Sequence, residues 1–119
     1  LPKNYPLTQR GNYVEAEVMA RADEAILAFA EKDYAAIRGM CASDSAKNVL
    51  SDETLSGARA LFPDEWGAFI TYGNAYTAEV VQRGNSMAVI QMNATYENTA
   101  VTYTLMFDEN LSLCGFYVK

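Results

Sequence analysis

At 119 residues, half of them hydrophobic and a fifth charged, the chain is long enough for one closed core and too apolar for disorder. Nine basic against fifteen acidic residues leave a net charge of −6, which repels a nucleic-acid backbone and an anionic membrane surface. No apolar run approaches the ~18 residues that a bilayer span needs, and the chain contains no histidine.

Residues 1–11 (LPKNYPLTQRG) hold two prolines, mixed polarity and no helical period. They are expected to form an N-terminal arm or tether, followed by a single α+β domain over 12–119. The chain begins at Leu1 rather than Met, which fits removal of a signal peptide and equally a shortened chain.

From 13 to 32 the spacing predicts one helix. Val14, Val18, Ala22, Ala25 and Phe29 recur at close to the 3.6 period, and Met19, Ile26 and Ala30 widen the stripe. Asn12 stands as the N-cap, with Glu15 three residues later completing a capping box. Asp33 is placed to cap a shorter helix carrying Tyr34, Ile37 and Met40, and Ser43-Asp44 and Ser51-Asp52-Glu53 mark two more helix starts. The last of these is expected to turn Leu55, Ala58, Leu61 and Phe62 inward and to stop at Pro63.

Beyond Gly67 the pattern becomes β-branched and aromatic, predicting strands over 68–83, 88–96, 100–107 and 111–118. Gly84-Asn85, Glu97-Asn98 and Asp108-Glu109-Asn110 supply the turns, so the strands form an antiparallel meander. Val101, Tyr103, Leu105 and Phe107 alternate with threonines in the third strand, and Gly73 marks a bulge or bend in the first. Helices followed by a strand meander predict an α+β fold in which the helices pack on a curved four-stranded antiparallel sheet. Cys41 and Cys114 are compatible with a disulfide in an oxidising compartment and equally with two buried free thiols.

This order of elements resembles a bacterial family known as domain of unknown function 3887. The residues that carry the likeness are Phe29 to Tyr34 (FAEKDY), Gly67-Ala68-Phe69, and Phe107-Asp108-Glu109-Asn110 followed by Leu113 and Gly115-Phe116-Tyr117. The family is similar in turn to the cystatin-like cone proteins, best known from nuclear transport factor 2 and ketosteroid isomerase. The resemblance implies an extracytoplasmic domain, secreted or lipid-anchored to the cell envelope, sometimes appended to hydrolases. It carries over no catalytic residue. Relatives place a tryptophan inside the last helix, whereas here Trp66 follows Pro63.

Without histidine, a Ser-His-Asp triad, a Cys-His pair and a histidine zinc site are excluded. Residues 108–112 echo a calcium loop but put Leu113 where its glycine belongs, so a hairpin turn is the better reading. Asp64-Glu65 and Glu79 are the carboxylates considered for acid–base work, and both read more naturally as solvated residues. Tyr72, Tyr76, Tyr96, Tyr103 and Tyr117 on the strands suggest an aromatic-lined pocket, since a cone leaves a hollow between helix and sheet. Thr71, Thr77, Gln91, Asn93, Thr95, Thr102 and Thr104 give the outer sheet face a polar, uncharged surface suited to a partner.

No catalytic, cofactor or metal residue is assigned, and no cofactor is expected. The expectation is a non-enzymatic extracytoplasmic domain that binds a small molecule or protein, pairs with itself through the sheet, or serves as an accessory module. The alternative is a cone-type enzyme, isomerase- or hydratase-like, working with carboxylate and tyrosine groups in the pocket.

Overall fold

The computed structural model describes residues 3–5, 7 and 12–119. Its elements run β1 (Lys3–Tyr5), α1 (Glu15–Ala30), α2 (Tyr34–Gly39), α3 (Asp44–Val49), α4 (Asp52–Arg59), β2 (Phe69–Gln82), β3 (Asn85–Tyr96), β4 (Ala100–Phe107) and β5 (Leu113–Val118). The strands make one antiparallel sheet in the order β1-β2-β3-β4-β5. The α+β meander is the predicted fold, with one addition. Lys3–Tyr5 pairs with 79–81 of β2 as a fifth, edge strand. The flanking prolines, Pro2 and Pro6, concealed it, although an edge position tolerates proline beside a strand. Leu7 is buried in the core. The rest of the expected arm, residues 1, 2, 6 and 8–11, lies outside the described residues.

Helix α1 buries Val18, Ala22, Ala25, Ile26, Ala28 and Phe29 against β3 and β4. Its start differs from expectation. Val14 is the N-cap residue and exposed, and no side chain caps the helix. Asn12 is drawn away: its amide donates to the Glu79 carboxylate at 2.7 Å, satisfying a buried charge instead of the helix end. The helix closes at Lys32, which takes a left-handed φ of 63°, while the Asp33 amide reaches back to the Ala28 carbonyl at 2.8 Å. The three predicted caps that follow are all made. Asp33 accepts from the Ala36 amide at 3.2 Å, Ser43 from Ala46 at 3.1 Å and Ser51 from Thr54 at 3.2 Å.

Helix α4 ends at Arg59, earlier than Pro63 requires. Leu55 packs inward as predicted, but Leu61 lies past the helix end and is 77% exposed. Arg59 takes the buried place instead. Its guanidinium stacks 3.7 Å over the Trp66 ring and donates to the Ala30 and Pro63 carbonyls, each at 3.3 Å.

On the sheet, Ala88, Ile90, Met92, Ala94 and Tyr96 of β3 and Val101, Tyr103, Leu105 and Phe107 of β4 face the helices, following the predicted alternation. The β2–β3 turn is Arg83-Gly84 rather than Gly84-Asn85. Both residues have positive φ, 54° and 78°, as a two-residue turn matched to strand twist demands, and Gln82 then pairs with Asn85. Gly67 turns the chain into β2 at φ 75°, and a Cβ there would stand 2.7 Å from the Glu97 Cβ. Gly67→Ala is expected to cost about 1–2 kcal/mol from the backbone alone, read as a lowered urea midpoint. Both cysteines are free, Cys41 buried and Cys114 exposed.

Candidate functional site

Two irregularities in β2 shape a concave site where three aromatic rings meet a carboxylate. Phe69 lies opposite Tyr96 and Tyr72 opposite Ala94, both partners facing inward. Three residues apart, Phe69 and Tyr72 would point to opposite faces of a regular strand. A register shift between Phe69 and Thr71 turns both to the helix side. A second shift between Tyr72 and Ala75, at the predicted Gly73 bulge, returns Tyr76 to the outer face opposite Gln91.

The result is a cleft of about 330 Å³ between α1 and the start of β2, lined by Asp23, Ile26, Leu27, Ala30, Glu31, Gly67, Phe69, Tyr72 and Tyr96. Phe69 packs on Tyr72 with ring centroids 4.7 Å apart and on Tyr96 at 5.8 Å. Tyr96 continues inward to Trp66 at 4.8 Å, and Trp66 to Phe29 at 5.9 Å. The cleft wall is thus the outer end of an aromatic ladder rooted in the core, which fixes its rings before any ligand arrives.

The tyrosine hydroxyls of the cleft are paired. The Tyr72 hydroxyl donates a short hydrogen bond to the exposed Asp23 carboxylate. The Tyr96 hydroxyl meets that of the fully buried Tyr103 at 3.0 Å. Burial raises the Tyr72 pKa, and the hydrogen bond to Asp23 and its negative charge add to the rise. Burial raises Tyr103 too, with Tyr96 next, and raises Tyr96 against the lowering pull of the Tyr103 hydrogen bond and the Arg59 charge. All three phenols stay protonated at neutral pH and act as donors or acceptors of hydrogen bonds.

The same causes set the alkaline limit of stability. Burial also raises Tyr13 above 10.0 and Cys41 above 9.0. The folded chain keeps protons that the unfolded chain releases first, so the stabilisation is complete below these ordinary values and is lost as pH rises through the folded ones. The urea midpoint is expected to hold level up to about pH 9 and fall above it. Phenolate absorbance from Tyr13, Tyr72, Tyr96 and Tyr103 should grow in only with unfolding.

Of the five strand tyrosines picked out from sequence, the fold brings together Tyr72, Tyr96 and Tyr103. Tyr76 and Tyr117 face outward, 55% and 61% exposed. Glu79, expected to be solvated, is fully buried, a correction that follows from its place opposite Ala88 on the inner face. Its Oε2 accepts from Asn12 at 2.7 Å and from the Ser86 hydroxyl at 2.6 Å. It lies seven residues along β2 from Tyr72, roughly 20 Å at the rise of an extended strand. Asp64 is exposed and pairs with Lys32 at 3.3 Å, while exposed Glu65 lends its carbonyl to Asn98. Asp108 accepts from the Asn110 and Ser112 amides, both at 2.9 Å, the expected turn. Among the described residues no group of three or more Cys, Asp or Glu side chains could hold a metal ion, and no helix is long and apolar enough to cross a membrane.

Asp23, Leu27 and Phe69 were not foreseen as cleft residues. Asp23, Leu27 and Glu31 do recur at i, i+4 and i+8, a second stripe beside the core stripe of α1, and that spacing was the available signal.

A family model described as protein of unknown function (DUF3887) matches residues 22–116. The chain belongs to this family. The matched segment of the DUF3887 domain contains the whole cleft and all four long strands apart from the last residues of β5. No curated protein matches the chain. An NMR structure of a protein from Ruminococcus gnavus ATCC 29149 is similar, with a TM-score of 0.78 at 20% sequence identity over 97% of this chain and 98% of that one. At that identity the likeness speaks for the fold of the DUF3887 domain.

Proposed function

We propose that this domain is a non-enzymatic, extracytoplasmic binding or accessory module of the cystatin-like cone type, which takes a small ligand in the cleft between α1 and the start of β2. The observation that carries the reading is the cleft wall itself: Phe69, Tyr72 and Tyr96 line it as packed rings beside Asp23, in a hollow of about 330 Å³. That volume lies at the lower end of small-molecule sites, and an apolar lining with a few fixed polar groups is their usual make-up. Placement outside the cytoplasm rests on the family resemblance, and placement among the cones on a long helix laid across a bulged antiparallel meander.

Catalysis of the isomerase kind needs a desolvated carboxylate and tyrosine donors converging on one substrate. In this chain the two are separated. The buried carboxylate, Glu79, stands at the far end of β2 and accepts hydrogen bonds from Asn12 and Ser86. The carboxylate at the tyrosines, Asp23, is exposed to water and engaged by Tyr72. Binding is the better use of such a site.

The test is a titration of ¹⁵N-labelled protein with phenol and with cyclohexanol, followed by amide shifts. Shifts confined to residues 23–31, 67–72 and 96, and lost in Phe69→Ala, are expected. Shifts spread evenly over the surface would end the binding proposal. Turnover of a β,γ-unsaturated ketone that Asp23→Asn abolishes would replace it with the enzyme.

A further inference from the structure

We infer that the cleft between α1 and β2 selects an organic cation, an ammonium or guanidinium group on a compact apolar body; this rests on the binding reading above and adds the charge of the ligand to it. The groups that line the cleft fall into two kinds. The apolar kind is Ile26, Leu27, Ala30 and Phe69, and the polar kind is Asp23 and Glu31, with the tyrosines Tyr72 and Tyr96 between the two. Among the described residues no lysine or arginine lines it.

Nearby bases are engaged elsewhere. Lys32 reaches Asp64 at 3.3 Å, Arg21 pairs with Glu24 at 2.7 Å, and Arg59 is held over the Trp66 ring by carbonyls. Glu97, beside Gly67, adds a further negative charge at the rim.

Aromatic faces attract cations through the ring quadrupole, and the attraction grows where water is partly displaced. The chain uses this chemistry one rung deeper, where Arg59 lies 3.7 Å over Trp66. Phe69, Tyr72 and Tyr96 form the next rungs outward, and they carry no cation of the chain among the described residues. A ligand cation seated on them would meet ring faces on the sheet side and a carboxylate on the helix side. An anion would face Asp23 and Glu31, while Arg59, whose charge reaches Tyr96, is already taken up by Trp66 and backbone carbonyls. The hollow holds a body of roughly ten non-hydrogen atoms, taking ~30 Å³ for each as for a water in the liquid.

The experiment compares three probes that share a benzyl group and differ in charge, benzyltrimethylammonium, benzyl alcohol and phenylacetate, titrated into the ¹⁵N-labelled protein at low salt. The cation is expected to bind at least about tenfold more tightly than the alcohol, and phenylacetate not at all. Asp23→Asn keeps the side-chain shape and the acceptor for Tyr72; it should weaken the cation several-fold, and by more than it weakens the alcohol. Equal binding of cation and alcohol, or tighter binding of phenylacetate, overturns the charge selectivity and leaves the binding site in place. Binding of none of the three overturns both. An Asp23→Asn protein that binds the cation as the parent does also overturns it, because the carboxylate then contributes nothing.

Discussion

Replacing Phe29 by alanine is expected to remove about 3–5 kcal/mol of folding stability, a large part of what a domain of this size has. The side chain is fully buried on α1 and touches rings from four other parts of the fold. Its centroid lies 5.2 Å from Phe116 on β5, 5.9 Å from Trp66, 6.1 Å from Tyr103 on β4 and 6.3 Å from Tyr34 on α2. No small shift of α1 can refill the space, because Tyr103 and Phe116 are themselves held 6.0 Å apart by neighbouring strands. Urea unfolding followed by tryptophan fluorescence reads the loss, since Trp66 is the single tryptophan and sits on the same ring cluster. Phe29→Leu should recover more than half of it, as a volume closer to the original leaves a smaller cavity. A loss under about 1 kcal/mol for the alanine variant would mean that helix and sheet do not share this core.

The prominence of Phe29 explains why the scaffold could be read from the chain. Its stripe on α1, the alternation in β3 and β4, and the Asp33, Ser43 and Ser51 caps are local patterns, written within a few residues of where they act. The errors fell where a distant partner decided the outcome. Asn12 looked like a helix cap and serves Glu79, 67 positions away. Arg59, whose charge gives no local reason for burial, is held inside by the ring of Trp66 and three separate carbonyls. Lys3–Tyr5 is a strand because 79–81 of β2 offers an unpaired edge, which nothing in residues 1–11 reveals.

The cleft was half legible for the same reason. Aromatic residues on strands gave notice of a lined hollow, but choosing among five tyrosines needed the positions of the β2 bulges. A single register shift decides whether a residue faces the helix or the solvent. Tyr72 and Tyr76, four residues apart, would share a face on a regular strand, and the shift between Tyr72 and Ala75 separates them. Asp23 belongs to the site only because the end of β2 that carries Tyr72 is brought to α1.

At the opposite end of β2, Glu79→Ala is expected to destabilise the fold by about 2–4 kcal/mol, from the lost buried acceptor and the cavity left in its place. The carboxylate joins three elements that sequence keeps apart. Asn12 leads into α1, Ser86 stands at the start of β3, and the backbone of Glu79 lies opposite Tyr5 of β1. Tyr13 extends the cluster, its hydroxyl 3.1 Å from the Ser86 oxygen. Alanine would leave the half-buried Ser86 hydroxyl with Tyr13 alone and free the exposed Asn12 amide to water, and an unsatisfied buried donor costs about 1–3 kcal/mol. Glu79→Gln keeps the volume and one carbonyl acceptor, so its loss should be smaller, about 1–2 kcal/mol. Hydrogen exchange separates a local from a global effect. If the cluster pins the N-terminal edge, amides of 79–81 should lose protection in the glutamine variant while those of β3 and β4 keep theirs. An alanine variant as stable as the parent would show that this carboxylate is hydrated in solution, and the link between β1, α1 and the sheet would have to be sought in Leu7 and Tyr13 alone.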